Sequence, residues 1–469
     1  MSGRKILPAG QADLVVRRAR SAQALFGTAD QARTDEAVTA VAWSLYKPEN
    51  AREIAEMAVA DTGLGNVPDK ILKKQRKTLG TLRDLMRVRT VGIIEEDTAR
   101  GIVKYAKPVG VVAAITPSTN PGATPVNKAM MALKGRNAIV IAAPPAAHRT
   151  TSRAVQLMRG ALSKIGLPED LVQILPPPAS KEQTDALMMA ADLVVATGSQ
   201  DNVRRAYRSG TPAIGVGAGN VPVVIDETAD LDDAAQKICR SKTFDNATSC
   251  SSENSLVIVD AIYADAVAAL VRAGGYLVSA SERDKIVKSL WLDGRLNRQL
   301  LARDADEFAL GCGLSTAASQ SKFFMVEETG VGPDFPLSGE KLAVVLTIYR
   351  VRDFHDAVAR VRAILDYQGR GHSCGLHTSD MSRARRLAEV TDVVRVLVNQ
   401  AHTFGNGGGF DNGLNFTLSM GCGTWGRNSI SENLNYRHFL NITHLVTTIA
   451  PDMPKELDLF GGYWAKYGQ

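Results

Sequence analysis

One cysteine, Cys250, lies among small and polar residues, 247–254, directly before an apolar run at 255–259. Small neighbours leave a sulfur open to a substrate, where bulky side chains would cover it. A thiolate is the best side-chain nucleophile for an aldehyde carbonyl, and a loop entering a helix lowers the thiol pKa. The alternative is a small buried cysteine beside a strand, which is the usual role of a free cysteine. The pattern makes Cys250 a candidate nucleophile whose role depends on the rest of the chain.

Further polar residues follow predicted strands. Asn120 either shapes a turn or donates its amide hydrogen bond to an oxyanion. Thr197, Gly198 and Ser199 stand between a strand and a helix, a placement typical of phosphate binding at helix amides, although a plain tight turn has the same pattern. Gly217 belongs to a glycine-rich segment that does not open a helix, so this segment is not a dinucleotide fingerprint.

The elements that must position these residues alternate between strands and helices from residue 101 onward. Such alternation predicts an α/β fold, with a parallel sheet that binds nucleotides at the carboxyl ends of its strands. A second α/β unit begins near residue 226, and residues 10–60 predict two helices, the second over 35–60. The strands predicted for the first sheet are 109–115, 137–142, 171–175, 192–196, 213–216 and 221–225.

A basic helix is predicted over residues 70–89, with lysines at 70, 73, 74 and 77. Its charge favours a solvated face. The functional alternative is a surface near the phosphates of a nucleotide or of CoA.

Composition limits the function classes. The chain has 469 residues, of which 45% are hydrophobic and 22% charged, which suits a globular protein of two or three domains. Five cysteines without CxxC spacing indicate reduced thiols and a cytoplasmic protein, and no apolar run predicts a signal core or a membrane span. The net charge is +6, but the basic residues are dispersed without interleaved aromatics, which argues for a polyphosphate cofactor and against nucleic acid.

Several stretches together resemble the CoA-acylating branch of the aldehyde dehydrogenase superfamily. The resemblance covers roughly residues 61–444 and rests on long motifs in one order. These are DTGLGN at 61–66, TPSTNP at 116–121, PAIGVGAGNVPV at 212–223, FDNATSCSSE at 244–253, EKL at 340–342, GRGHS at 369–373 and GCGTWGRNSISEN at 421–433.

The resemblance implies a domain layout and a set of roles. Residues 1–225, with a return segment at about 415–445, form a Rossmann-like nucleotide-binding domain; 226–414 form the catalytic domain, and 446–469 an oligomerisation segment. Cys250 is the nucleophile, and Asn120 with the Cys250 backbone amide forms the oxyanion hole. Glu340 holds the ribose of the nicotinamide half, and residues 197–199 and Gly217 lie by the cofactor. A homodimer or homotetramer is expected, and the chemistry needs no metal.

One departure from hydrolytic relatives is informative. Those enzymes carry Glu-Leu-Gly-Gly where this chain has Val216-Gly-Ala-Gly219, so the carboxylate that activates water is missing. A thioester then survives until a thiol attacks it. His372 matches a histidine of the acylating branch that helps to deprotonate CoA, or else it is a structural histidine. A hydrolytic enzyme and a non-catalytic binding protein remain the alternatives.

The expected substrate is a small anionic aldehyde. Arg370, two residues before His372, suits a forked hydrogen bond to an oxyanion, unless it pairs with a protein carboxylate or a CoA phosphate. Ser249 and Ser251 beside the cysteine suit oxygen-rich groups. The pattern is similar to the sulfoacetaldehyde dehydrogenases of the branch, so sulfoacetaldehyde and CoA are expected to give sulfoacetyl-CoA. The alternatives are acetaldehyde, propanal and succinate semialdehyde.

The expected cofactor is NADP or NAD. Residues 142–149 contain no carboxylate to repel a 2′-phosphate, and His148 or Arg149 would attract one. We therefore expect NADP to be accepted.

Overall fold

The computed structural model describes residues 10–177 and 180–469, so residues 1–9 of the predicted first domain lie outside the described part. Its strands are short and mostly apolar. In chain order they are β1 (Gly92–Asp97), β2 (Ile102–Pro108), β3 (Val111–Ile115), β4 (Ala138–Ala142), β5 (Val172–Ile174), β6 (Leu193–Ala196), β7 (Ala213–Gly215), β8 (Val221–Ile225), β9 (Glu253–Val259), β10 (Gly275–Leu277), β11 (Trp291–Leu292), β12 (Arg295–Leu296), β13 (Phe323–Glu327), β14 (Val345–Val351), β15 (Gly371–His377), β16 (Val393–Val398) and β17 (Leu440–Val446).

The helices pack mainly on the faces of the sheets. In chain order they are α1 (Gln11–Phe26), α2 (Gln31–Tyr46), α3 (Pro48–Thr62), α4 (Val67–Met86), α5 (Ala123–Lys134), α6 (His148–Lys164), α7 (Lys181–Ala190), α8 (Gln200–Arg208), α9 (Leu231–Thr243), α10 (Tyr263–Arg272), α11 (Ala280–Leu290), α12 (Ala305–Cys312), α13 (Thr316–Ser319), α14 (Phe354–Tyr367), α15 (Met381–Val390), α16 (His402–Gly405) and α17 (Glu456–Tyr467). Within the described residues, none of these helices combines the length and apolar character needed to cross a membrane.

Two parallel sheets form the framework. The first has the strand order β5-β4-β3-β6-β7, and the second has the order β10-β13-β14-β9-β8-β15-β16. Every residue of β3, β4 and β9 is buried, as expected for parallel strands that helices cover on both faces. A third, antiparallel sheet joins β1, β2 and β17. The predicted α/β architecture is confirmed.

Two boundaries differ from the sequence-based prediction. The helix predicted over 35–60 is two helices, because the chain turns at Lys47 and Pro48 becomes the first residue of α3, where its missing N–H costs nothing. The strand β8, placed by prediction in the first domain, pairs with β9 and β15 in the second sheet. The boundary between the two parallel sheets therefore lies between β7 and β8, before residue 226.

Candidate active site

A cavity of about 540 Å³ lies between the two parallel sheets. Its wall is built from loops that follow strands of the first sheet, from loops that precede strands of the second, from the segment 403–420 after β16, and from Lys77 of α4. Most of the predicted site residues meet here: Asn120 after β3, Thr197, Gly198 and Ser199 after β6, Gly217 after β7, Ser249, Cys250 and Ser251 before β9, and Glu340 before β14.

Cys250 lies in a turn directly before β9, with part of its surface open to the cavity. The loop enters a strand and not a helix, so the expectation of a helix-lowered pKa was wrong. Burial, reinforced by Glu340 and Cys422, raises the pKa of Cys250 to about 12, although Arg395 and a hydrogen bond with Ser251 oppose the shift. Cys250 therefore rests as a thiol, which would have to lose its proton to act as a nucleophile.

The backbone around the cysteine is tightly packed. A Cβ on Gly219 would lie 2.2 Å from the Cys250 carbonyl oxygen, so only glycine fits at that position. In the described part of the chain, the Cys250 backbone N–H has no hydrogen-bond acceptor. It is therefore free to donate to a substrate oxygen bonded to the carbon that the sulfur attacks.

Asn120 is oriented by a lysine that the sequence-based prediction did not single out. Lys73 Nζ donates to Asn120 Oδ1 at 3.0 Å, and an ammonium only donates. The amide oxygen must therefore face Lys73, which leaves the Nδ2 hydrogens to point elsewhere. Among the described residues, Asn120 Nδ2 makes one hydrogen bond, a long one of 3.4 Å to Thr119 Oγ1. Lys73 thus fixes which end of the amide is offered as a donor.

Lys73 is itself anchored by the loop that carries the cysteine. Its other two donors go to Asp245 Oδ2 at 2.5 Å and to Thr248 Oγ1 at 2.9 Å. Asp245 is fully buried and also accepts from Lys70 at 3.1 Å. Although burial opposes the shift, Lys73 and Lys70 hold the pKa of Asp245 below its usual range. This buried pair ties helix α4 and Asn120 to the Cys250 loop.

The basic helix is therefore not a solvated face over its first half. Lys70, Lys73, Lys74 and Lys77 are each less than 9% exposed, because α4 packs against α5 and the loop before Cys250. Helical periodicity gave no signal for this burial, since lysine at an inward position contradicts the usual pattern. Lys77 lies on the cavity wall.

Two serines flank the nucleophile in different ways. Ser249 lies on the cavity wall. The Ser251 hydroxyl accepts a hydrogen bond from Asn406 Nδ2 at 2.9 Å and is buried. The geometry therefore leaves Ser249 better placed than Ser251 to meet a substrate.

The cofactor side of the cavity begins at β6. Ser199 caps α8 by accepting a hydrogen bond from the Asn202 backbone N–H, and Gly198 adopts a φ of 140° that favours glycine. The amides at the start of α8 suit a phosphate. The Glu340 carboxylate lies on the same cavity wall and makes no hydrogen bond to the described residues. Desolvation raises its pKa to about 8, although Lys242 and Lys341 oppose the shift. A carboxyl without partners among the described residues fits the hydroxyls of a ribose.

Val216 also lies on the wall, and Glu340 is the one Asp or Glu side chain that the described residues place there. The apolar Val216 side chain therefore contributes directly to the cavity wall. His148 and Arg149 do not reach this cavity and line a second one instead. There Arg149 is paired with Asp61 at 2.8 Å.

Two predicted site residues are absent from the cavity wall. Arg370 is half exposed and its Nε donates to Asp392 at 3.0 Å, so the alternative of a protein carboxylate partner is what the structure shows. His372 is buried, with Nδ1 at 2.8 Å from Ser373 Oγ and Nε2 without a partner. Burial, with Arg395 and His402, lowers the pKa of His372 well below its usual value, so the ring is neutral at pH 7. It is a buried base that does not touch the cavity.

Comparison with known proteins identifies the family. A model of the aldehyde dehydrogenase family matches residues 7–286. The chain belongs to the aldehyde dehydrogenase family. It is 55% identical to a sulfoacetaldehyde dehydrogenase (acylating) of Cupriavidus necator, over 97% of this chain and 92% of that protein.

Solved structures agree with this family. An acetylating aldehyde dehydrogenase of Geobacillus thermoglucosidasius has a TM-score of 0.91 at 35% identity, covering 95% of this chain and 98% of the other. A propionaldehyde dehydrogenase of Rhodopseudomonas palustris with bound propionyl-CoA has a TM-score of 0.83 at 25% identity, covering 93% and 94%. The predictions of an oxidoreductase and of the acylating branch of the aldehyde dehydrogenases are confirmed.

Proposed function

We propose that this aldehyde dehydrogenase oxidises sulfoacetaldehyde with CoA and NAD(P) to sulfoacetyl-CoA. The observation that carries the reaction class is a wall on which Cys250 and Asn120 meet while Val216 stands in place of a water-activating carboxylate. The 55% identical relative supports the choice of aldehyde.

The first step joins the sulfur to the aldehyde. As Cys250 Sγ bonds to the carbonyl carbon, the carbonyl oxygen gains negative charge, and the proton of the thiol leaves to solvent or a nearby base. Asn120 Nδ2 and the Cys250 backbone N–H donate to that oxygen. Donors held in place before the reaction stabilise such an oxyanion without reorganisation.

A bound nicotinamide cofactor would supply the hydride acceptor for the carbon that Cys250 has attacked, and loss of that hydride would leave an acyl thioester on Cys250. Residues 197–199 would hold its phosphates and Glu340 its ribose. The protein then protects the thioester from water, since Val216 cannot remove a proton from a water molecule. The CoA thiol attacks the acyl carbon, and Cys250 leaves as the thiolate and regains its proton. The sum is aldehyde, CoA and NAD(P)⁺ giving acyl-CoA, NAD(P)H and H⁺.

His372 enters this scheme only as a proposal. A neutral imidazole is the right form for taking the CoA proton, but its side chain would have to reach the cavity wall. Nε2 is the ring nitrogen available for that task, because it has no hydrogen-bond partner among the described residues.

The reaction is tested by NAD(P)H formation from sulfoacetaldehyde, acetaldehyde, propanal and succinate semialdehyde, each with and without CoA. We expect turnover to require CoA and to be most efficient with sulfoacetaldehyde. Formation of free acid at an equal rate without CoA would contradict the acylating reaction. A cofactor series with NAD and NADP tests the expectation that NADP is accepted.

A homodimer or homotetramer is proposed from the C-terminal segment. Large apolar side chains of residues 445–467 are exposed in the single chain: Leu445, Val446, Ile449, Met453, Leu457, Leu459, Phe460, Tyr463 and Tyr467. An apolar surface of this extent is typical of a protein interface. A molar mass from light scattering equal to one chain would contradict it.

A cytoplasmic location is proposed from the five free cysteines.

A further inference from the structure

A side pocket of about 40 Å³ adjoins the active-site cavity beside the nucleophile. Asn120, Ser249 and Lys77 line both spaces, so the pocket lies on the side of the cavity that holds the predicted oxyanion donor. Its volume has room for a few water molecules and hence for a compact tetrahedral group, but not for a nucleotide.

The side pocket is lined by three cations. Lys73, Arg76 and Lys77 contribute to its wall, and no Asp or Glu of the described residues does. Lys73 is paired with Asp245 at 2.5 Å, whereas Arg76 and Lys77 form no ion pair with the described residues. Basic groups without ion-pair partners on the wall of a pocket suit a substrate that carries a negative charge.

Arg76 has no ion-pair partner among the described residues, and the charge of Asp411 acts on it only from a longer distance. It makes no hydrogen bond or ion pair to the part of the chain that the structure describes, and its Nε is buried without a partner. Its guanidinium lies over the rings of Phe404, Phe410 and Phe416, at 5.4, 5.1 and 6.0 Å from their centroids. The rings fix the plane of the guanidinium while leaving its N–H groups unused, which suits a forked hydrogen bond to an oxyanion.

Lys77 is buried and donates to the Gly407 carbonyl oxygen at 2.6 Å, a neutral acceptor. Burial, with the charges of Arg76 and Lys73, lowers the pKa of Lys77 to about 7, opposed by Cys250. An anion in the pocket would favour the charged ammonium. The residue is therefore partly charged in the empty pocket and gains its full charge with a ligand.

We propose that Arg76 and Lys77 form the site that recognises the sulfonate of the aldehyde, in place of Arg370. This inference rests on the proposed function and names the residues that select its substrate. In sulfoacetaldehyde one methylene separates the sulfonate from the reacting carbonyl. A sulfonate beside Asn120 and Ser249 therefore keeps the carbonyl carbon within the reach of Cys250.

The test compares Arg76→Gln and Lys77→Met with wild type, on sulfoacetaldehyde and on propanal, in which an uncharged methyl group replaces the sulfonate. We expect kcat/KM for sulfoacetaldehyde to fall by at least about tenfold, the scale of one lost charge-assisted hydrogen bond, and kcat/KM for propanal to change less than about threefold. Arg83→Gln is the matched control, because Arg83 stacks on the same Phe410 ring from the same helix but is paired with Asp84.

Ethanesulfonate gives a readout that does not depend on sulfoacetaldehyde turnover. As a competitive inhibitor of propanal oxidation it should bind wild type and Arg83→Gln equally and lose affinity in Arg76→Gln and Lys77→Met. If both aldehydes lose equally, or if only the KM for CoA rises, the sulfonate site is refuted. If ethanesulfonate binding depends on Arg76 but sulfoacetaldehyde is not oxidised, the anion site stands and the proposed substrate fails. Turnover without CoA would refute the acylating reaction and leave the comparison of charged and neutral aldehydes valid.

Discussion

Replacement of Lys73 by methionine should disable Asn120 while leaving Cys250 and Asn120 themselves in place. The variant removes the ammonium that holds Asn120 Oδ1 at 3.0 Å and Asp245 Oδ2 at 2.5 Å. These two acceptors then face each other across the vacated position. The stable response is rotation of the amide, so that Nδ2 donates to the buried carboxylate and the amide oxygen turns to the cavity.

A rotated amide would offer the developing oxyanion an acceptor in place of a donor. Loss of one oxyanion donor costs about 10²–10³-fold in kcat, or about 2.7–4 kcal/mol. Because the Cys250 backbone N–H remains and the rotation is incomplete, we expect a fall in kcat of about tenfold to 10²-fold, or about 1.4–2.7 kcal/mol. Asp245 keeps Lys70 at 3.1 Å, so the free energy of unfolding should fall by less than the roughly 3–5 kcal/mol that breaking a whole buried pair costs.

The assay is CoA-dependent turnover of propanal, a neutral substrate that is insensitive to the charge of the side pocket. Lys74→Met is the control, since Lys74 is buried on the same helix but, among the described residues, donates only to the Asn50 and Ala51 carbonyl oxygens. It should lower the melting temperature and leave kcat nearly unchanged. In the double variant with Asn120→Ala, the Lys73→Met effect on kcat should disappear. Additive losses in that double variant would refute the orienting role.

The remaining predictions concern the nucleophile, the oxyanion donor, the excluded arginine and the pH dependence. Cys250→Ala should abolish turnover with every aldehyde while the melting temperature stays near that of wild type; residual turnover would contradict the covalent mechanism. Asn120→Ala should lower kcat by about 10²-fold or more, and a change in KM alone would leave it a turn former. Arg370→Ala should affect sulfoacetaldehyde and propanal equally, because its guanidinium pairs with Asp392; a selective loss with the charged aldehyde would restore it as a substrate ligand. Burial, with the charges of Arg76 and Lys73, lowers the pKa of Lys77 to about 7, and Cys250 opposes this shift. The ammonium therefore loses its charge as the pH rises through 7. Inhibition by ethanesulfonate should therefore weaken from pH 6 to pH 9, and a slope unchanged in Lys77→Met would contradict this assignment.

The sequence alone was enough to identify the family, the α/β fold and most of the predicted residues that meet in the cavity, with Arg370 and His372 as the exceptions. The alternation of strands and helices can be predicted without tertiary information, because parallel strands are short apolar runs between amphipathic helices. Cys250, Asn120 and Glu340 could be recognised from their motifs, because the chemistry expected of each depends on the identity of one side chain. The replacement of a carboxylate by Val216 is likewise readable from the chain, since it is the identity of one residue that decides it.

What only the tertiary structure decided is the environment of those side chains. Lys73 and Asp245 are 172 residues apart, and no local pattern predicts that they share a buried hydrogen bond behind Asn120. Helical periodicity predicted that the lysines of α4 face solvent, because the method assigns charged residues to the exposed side. It contains no information about Asp245, the buried carboxylate on another loop. Arg370 was a reasonable substrate ligand from its place in the motif, but folding brings Asp392 to its guanidinium. Folding also places Arg76 and Lys77 on the wall of the side pocket. The sequence determines which groups are present, and the packing of distant segments determines which of their charges are already satisfied.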